Sequence, residues 1–117
     1  MKYSILLMLK ATPKWWVMNK EYRFNTFRQF LFPLLVSYSD NVQFKVFNAE
    51  AFHAQVSDFF VVETTDLEQY HHFLKELKAS KLFTSEYFEL NDIVMGAENG
   101  FREFNQQTMQ KKGLIMN

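Results

Sequence analysis

Apolar positions along this 117-residue chain fall into two kinds of short run. Residues 5–9, ILLML, are apolar at every position and lie between Lys2 and Lys10, the pattern of a strand sheltered on both faces. Residues 59–62, FFVV, repeat it between Asp58 and Glu63. Val42, Phe44 and Val46 instead alternate with Gln43 and Lys45, so a strand there has one wetter face. Residues 86–95, EYFELNDIVM, give a fourth strand of mixed polarity. Helical spacing fills the gaps. Thr12-Pro13 opens a helix, with the hydroxyl as N-cap and proline at the first helical position, where no N–H is needed. Its stripe is Phe24, Phe27, Leu31, Leu34 and Leu35, and Pro33 kinks or ends it because the ring clashes with the carbonyl four residues back. Asp66 caps a second helix whose Leu67, Tyr70, Leu74 and Leu77 share a face.

The order strand, helix, strand, strand, helix, strand predicts an α+β, ferredoxin-like βαββαβ fold: a four-stranded antiparallel sheet with both helices on one face. Right-handed crossovers put the first and third strands in the centre, and these are the two continuous apolar runs. Two helices on one side shelter only one face, yet both inner strands are written as though dry on both. An open apolar face of several hundred Å² is unusual for a soluble monomer, and its burial at ~25 cal/mol per Å² is a large driving force. The expectation is a homodimer joined through the open sheet face, a dimeric α+β barrel. One domain is expected over residues 1–104, with a polar tail over 105–117 that carries a small apolar tip at 114–116.

Composition narrows the function classes. Basic and acidic residues balance at 13 each and the pI is near 6.8, so the electrostatic footprint of a nucleic-acid or anionic-membrane binder is missing. RNA-recognition modules share this topology but need stacking aromatics beside basic residues, whereas the third strand, SDFFVVET, is flanked by acids. The charge is nevertheless segregated: residues 1–45 hold seven basic and two acidic side chains, residues 46–104 four and eleven, which points to mutual pairing in a compact fold. With no cysteine there is no disulfide framework and no thiolate, in keeping with a cytoplasmic location. The N-terminal apolar run is closed by Lys10 and has no small-residue cleavage site after it, and no stretch is long enough to span a membrane. Only three glycines occur, none in a phosphate-cradling loop.

A series of short segments resembles one family: Thr12-Pro13-Lys14-Trp15, Asn48-Ala49-Glu50-Ala51-Phe52, Ser57-Asp58, Glu63-Thr64-Thr65-Asp66-Leu67, Leu82-Phe83-Thr84, Tyr87-Phe88-Glu89-Leu90 and Glu98-Asn99-Gly100-Phe101-Arg102. In that order and spacing the chain resembles the Darcynin family, itself similar to the dimeric α+β barrel superfamily. The resemblance implies the fold and the dimer. It brings no settled activity, since the wider superfamily includes cofactor-free oxygenases, haem-handling enzymes and isomerases, and fold does not fix function.

Candidate chemistry sits in AEAFHAQVSDFF, residues 49–60. His53 and Asp58 are five residues apart, close enough for a hairpin connection to join them for acid/base work; the plainer reading is a solvated linker histidine and a strand-entry aspartate. Alternation puts Asp58 on the face of Phe60 and Val62, where desolvation or a basic partner must answer for its charge. Lys20 and Arg23 extend the apolar stripe of the first helix and could grip an anion, or could simply snorkel; Trp15 and Trp16 could roof the same cavity, or pack as core. His71 and His72, about 100° apart on a helix, cannot share a metal, and no His pair at i, i+4 exists, so no metal site is expected. His71 reads as a core-edge histidine, with a proximal haem ligand as the sharper alternative. The expected function is a homodimer that holds an apolar or aromatic, anionic small molecule between helices and sheet, with any chemistry cofactor-free. The competing expectation is a non-catalytic interaction or regulatory protein whose cavity is filled by its own phenylalanines.

Overall fold

The computed structural model describes residues 1–98; the expected domain end at residue 104, the tail and the last segment of the family resemblance beyond Glu98 lie outside the described residues. The elements run β1 (Lys2–Ala11), α1 (Pro13–Trp16), α2 (Lys20–Phe30), α3 (Phe32–Ser37), β2 (Val42–Asn48), β3 (Asp58–Thr64), α4 (Leu67–Ala79), α5 (Lys81–Thr84) and β4 (Phe88–Glu98). The strands form one sheet in the order β2-β3-β1-β4, every neighbouring pair antiparallel. This is the ferredoxin-like α+β arrangement, with the two apolar strands in the centre.

Alternation along the inner strands sets the core. Ile5, Leu7, Leu9 and Ala11 of β1 are buried, and in register with the first three lie Val62, Phe60 and Asp58 of β3, also buried. Tyr70, Phe73 and Leu77 of α4, Leu31, Leu82 and Trp15 complete the packing over this face. Asp66 caps α4 as expected, its Oδ1 accepting the Gln69 N–H at 3.1 Å.

The first helical region departs from expectation. Thr12 precedes α1, but its hydroxyl donates to the carbonyl oxygens of Glu86 and Tyr87 rather than capping the helix, so it ties α1 to the start of β4. The helix stops after Trp16, and α2 starts afresh with Asn19 Oδ1 accepting the Tyr22 N–H at 2.8 Å. That restart resets the helical phase: Thr26 and Leu31 are buried, whereas Phe24, expected in the stripe, is 55% exposed. Pro33 falls in the first turn of the separate helix α3, where its missing N–H costs nothing. Lys2 pairs with Glu63 at 3.0 Å and Lys14 with Glu86 at 2.9 Å, each joining the basic first stretch of the chain to the acidic second.

Candidate functional site

The helices pack on one face of the sheet, and the other carries Leu6 and Met8 of β1, Phe59 and Val61 of β3, Phe47 of β2 and Val94 of β4. Cross-strand register sets Val61 and Val94 on either side of Leu6, and Met8 and Phe47 on either side of Phe59. The Phe47 and Phe59 rings stack with centroids 4.9 Å apart and planes 14° from parallel. Phe47 is 42% and Val94 51% exposed, and the other four are half-buried. Lys45 and Asp92, opposite Val61 and Met8 respectively, bring one charge of each sign to the same face.

The connection between β2 and β3 is stitched to the end of β1. Ser57 N–H donates to the Leu9 carbonyl at 2.9 Å, Ser57 Oγ accepts the Ala11 N–H at 2.7 Å, and the Ala49 N–H donates to the Ser57 carbonyl at 2.8 Å. Within the loop the Ala49 carbonyl accepts from the N–H groups of Phe52 and His53. His53 Nδ1 in turn accepts the N–H groups of Gln55 and Val56, both at 3.0 Å, so its ring is the staple of the turn. This loop lies against the open face, where Leu6, Met8, Ala49, Phe52, His53, Val56 and Phe59 line a cavity of about 280 Å³. Phe52 itself is 89% exposed.

Asp58, one residue past the loop, turns the opposite way. It is buried on the helix face, and burial pushes its carboxyl above the ordinary range; the charge of Glu50 adds to the rise and a hydrogen bond from Ser57 opposes it. His53 and Asp58 therefore line opposite faces of the sheet, and no hydrogen bond joins them. The five-residue spacing is used up by the turn that His53 closes.

The other expected site residues are also dispersed. Trp15 is buried, its ring 4.7 Å from Phe88, 4.9 Å from Phe27 and 5.7 Å from Tyr87. Trp16 is exposed and carries the Arg23 guanidinium 5.1 Å over its ring. Lys20 is exposed in the first turn of α2. A cavity of about 320 Å³ between α2 and α5 is lined by Tyr22, Asn25, Gln29, Lys81 and Tyr87 among others, but by neither Lys20 nor Arg23. His71 is exposed rather than at the core edge, because Phe73 takes the buried position on α4; its ring lies 5.3 Å from that of Tyr70. Among the described residues no cluster of three or more metal-ligating side chains occurs, and no helix is long and apolar enough to cross a membrane. Phe47, Phe52 and Lys81 are not singled out as site residues by the sequence pattern, although the continuous apolar runs at 5–9 and 59–62 mark both faces of the central strands as apolar.

The model of the Darcynin family, described as a domain of unknown function, matches residues 2–111. The chain belongs to the Darcynin family. A Darcynin of Chromobacterium violaceum is 36% identical over 78 residues, covering 67% of this chain and 98% of that protein. A Darcynin homolog of Streptomyces avermitilis is 27% identical over 98 residues, 84% of this chain and 80% of that one. Among solved structures, chlorite dismutase from Candidatus Nitrospira defluvii in complex with imidazole superposes with a TM-score of 0.72 at 13% identity, covering 95% of this chain and 46% of that one. At that identity the likeness is one of fold alone. This Darcynin spans about half the length of the solved structures it matches.

Proposed function

We propose that this Darcynin works as a homodimer closed sheet to sheet, a non-catalytic interaction or regulatory protein whose interior is filled by its own aromatic side chains. The open face carries the reading: six apolar side chains in register across four strands, with no helix among the described residues laid over them. Four strands ~4.8 Å apart, each presenting about seven residues at ~3.3 Å rise, give a footprint on the order of 400 Å² per copy before corrugation is counted. About half of that footprint is apolar, since Ser4, Gln43, Lys45, Glu63 and Asp92 share the face, so burying it on both copies at ~25 cal/mol per Å² contributes on the order of 10 kcal/mol gross, a sum of the same size as the ~4–15 kcal/mol that association costs. The volume between helices and sheet, where an anionic aromatic ligand was expected, is occupied by Trp15, Phe60, Tyr70, Phe73 and Phe88.

The test is sedimentation velocity on wild type and Val61→Lys at micromolar concentration. Wild type is expected at twice the 14.1 kDa chain mass. A second cation opposite Lys45 on the covered face costs several kcal/mol, a weakening of at least ~100-fold, so Val61→Lys is expected as a single chain with an unchanged far-UV spectrum. A wild type that sediments as one chain at tens of micromolar ends the proposal. A second reading, cofactor-free acid/base chemistry, is favoured by one observation, the carboxyl of Asp58 that holds its proton to higher pH than usual. Its exposure of 7% leaves a substrate little access, which weighs against that reading.

A further inference from the structure

The cavity on the open face differs in kind from the groove between α2 and α5. Leu6, Met8, Phe52, Val56 and Phe59 line it, and its one titratable group is His53. The imidazole is fixed in both place and tautomer. With Nδ1 accepting two backbone N–H groups, the neutral ring carries its single proton on Nε2. No partner for Nε2 occurs among the described residues, so His53, exposed where this apolar recess meets its neighbour, keeps one N–H donor free at the border of the apolar walls. Small-molecule sites are built in this way, from apolar walls and a few placed polar groups that fix orientation. The charges nearest this loop offset each other: Lys10 and Glu50 both line the neighbouring recess that shares His53 and Val56. A ligand here needs no net charge.

We infer that this recess binds a neutral aromatic carbonyl compound of one or two rings, whose carbonyl oxygen accepts the His53 Nε2–H and whose rings lie on Met8, Phe59 and Phe52. The inference rests on the sheet-to-sheet dimer, because the recess opens on the face that the second copy covers; half of the enclosure belongs to the twin. It also explains why Phe52, in a loop otherwise stitched down, is left 89% exposed in the single chain. His53 is in this account a ligand-orienting donor, not a base.

The solvatochromic ketone 6-propionyl-2-dimethylaminonaphthalene is a suitable probe, titrated into the full chain while its emission is followed. Expected is saturable binding at one probe per protomer with a blue shift. His53→Asn retains an acceptor for the two loop N–H groups but has no donor at the Nε2 position; it is expected to bind about fivefold more weakly with unchanged melting, the worth of one neutral hydrogen bond. His53→Gln restores a donor near Nε2 and is expected to recover most of that loss. Phe52→Ala is expected to bind about tenfold more weakly. Val61→Lys, outside the lining, is expected to lose most binding by losing the twin. A wild-type dimer that takes no probe, takes it without saturation, or binds it equally well as His53→Asn overturns the ligand site and leaves the dimer standing. A monomeric wild type that still binds with the His53 dependence overturns the dimer and with it the shared enclosure, while the donor assignment stands.

Discussion

Replacing Trp15 by alanine separates a core tryptophan from a ligand-facing one. Trp15 is 3% exposed and its ring lies within 4.7–5.7 Å of three other aromatic rings, Phe27 of α2, Tyr87 just before β4 and Phe88 of β4. Truncating a buried Trp costs ~3–5 kcal/mol through lost transfer energy and the cavity left behind. The three ring contacts, each worth ~0.5–1.5 kcal/mol beyond area, place Trp15→Ala at the upper end of that range. For a domain near 100 residues this is a large part of the ~5–15 kcal/mol total, and at ~4–8 °C per kcal/mol it lowers the melting temperature by about 20 °C or more. The assay is thermal and urea unfolding by far-UV circular dichroism. Trp15→Phe, which refills most of the site, is the companion: it is expected to fold, to lose about 1–2 kcal/mol, and to leave only the red-shifted fluorescence of the exposed Trp16. A loss below ~1 kcal/mol in Trp15→Ala refutes the packing argument and returns Trp15 to the list of ligand contacts.

Asp58→Asn tests the buried carboxyl. Its folded pKa is raised, so the folded state holds that proton to higher pH than the unfolded chain; the stability this adds is complete below the ordinary aspartate value of ~3.9 and is lost as pH rises through the folded value. Relative to wild type, Asp58→Asn is expected to gain stability as pH rises from about 4 through the raised folded value in denaturant titrations, and a gap that stays constant with pH contradicts the desolvation account. Glu86 has φ of 61°, a left-handed backbone that favours glycine. Glu86→Gly is expected to raise stability by about 1 kcal/mol despite losing the exposed Lys14 pair, and a lower melting temperature counts against relief of strain there. Phe73→Ala, which empties the space between the rings of Tyr38 and Phe44, is expected to cost ~3–5 kcal/mol by the same unfolding assay; a loss under ~1 kcal/mol would mean that α4 does not seal the core.

The sheet was legible because strand periodicity is short-range. Unbroken apolar runs at 5–9 and 59–62 mark the central strands, and alternation through Phe60 and Val62 marks the buried side of Asp58. The first helix was less legible, since its phase depends on a break after Trp16 and a fresh cap at Asn19, and a polar residue there reads equally well as the surface of a continuous helix. Two adjacent tryptophans illustrate the consequence: one turns into the core and the other to solvent, and which does so is decided by where α1 is pinned to Glu86 and Tyr87. Proximity in sequence misled at His53 and Asp58, where a turn closed by the histidine's own Nδ1 sends the two side chains to opposite faces. Only the loop's backbone hydrogen bonds, invisible to composition or spacing, fix the imidazole's tautomer.

The central claim is that the apolar face opposite the helices is covered by a second copy. Isotope-filtered NOE spectroscopy on a mixture of labelled and unlabelled chains tests it most directly. The account predicts contacts between chains from the methyl groups of Leu6, Met8, Val61 and Val94 to the rings of Phe47, Phe52 and Phe59. Contacts between chains that fall on α2 or α4 instead, or none at concentrations where the chain is a dimer by mass, would contradict it.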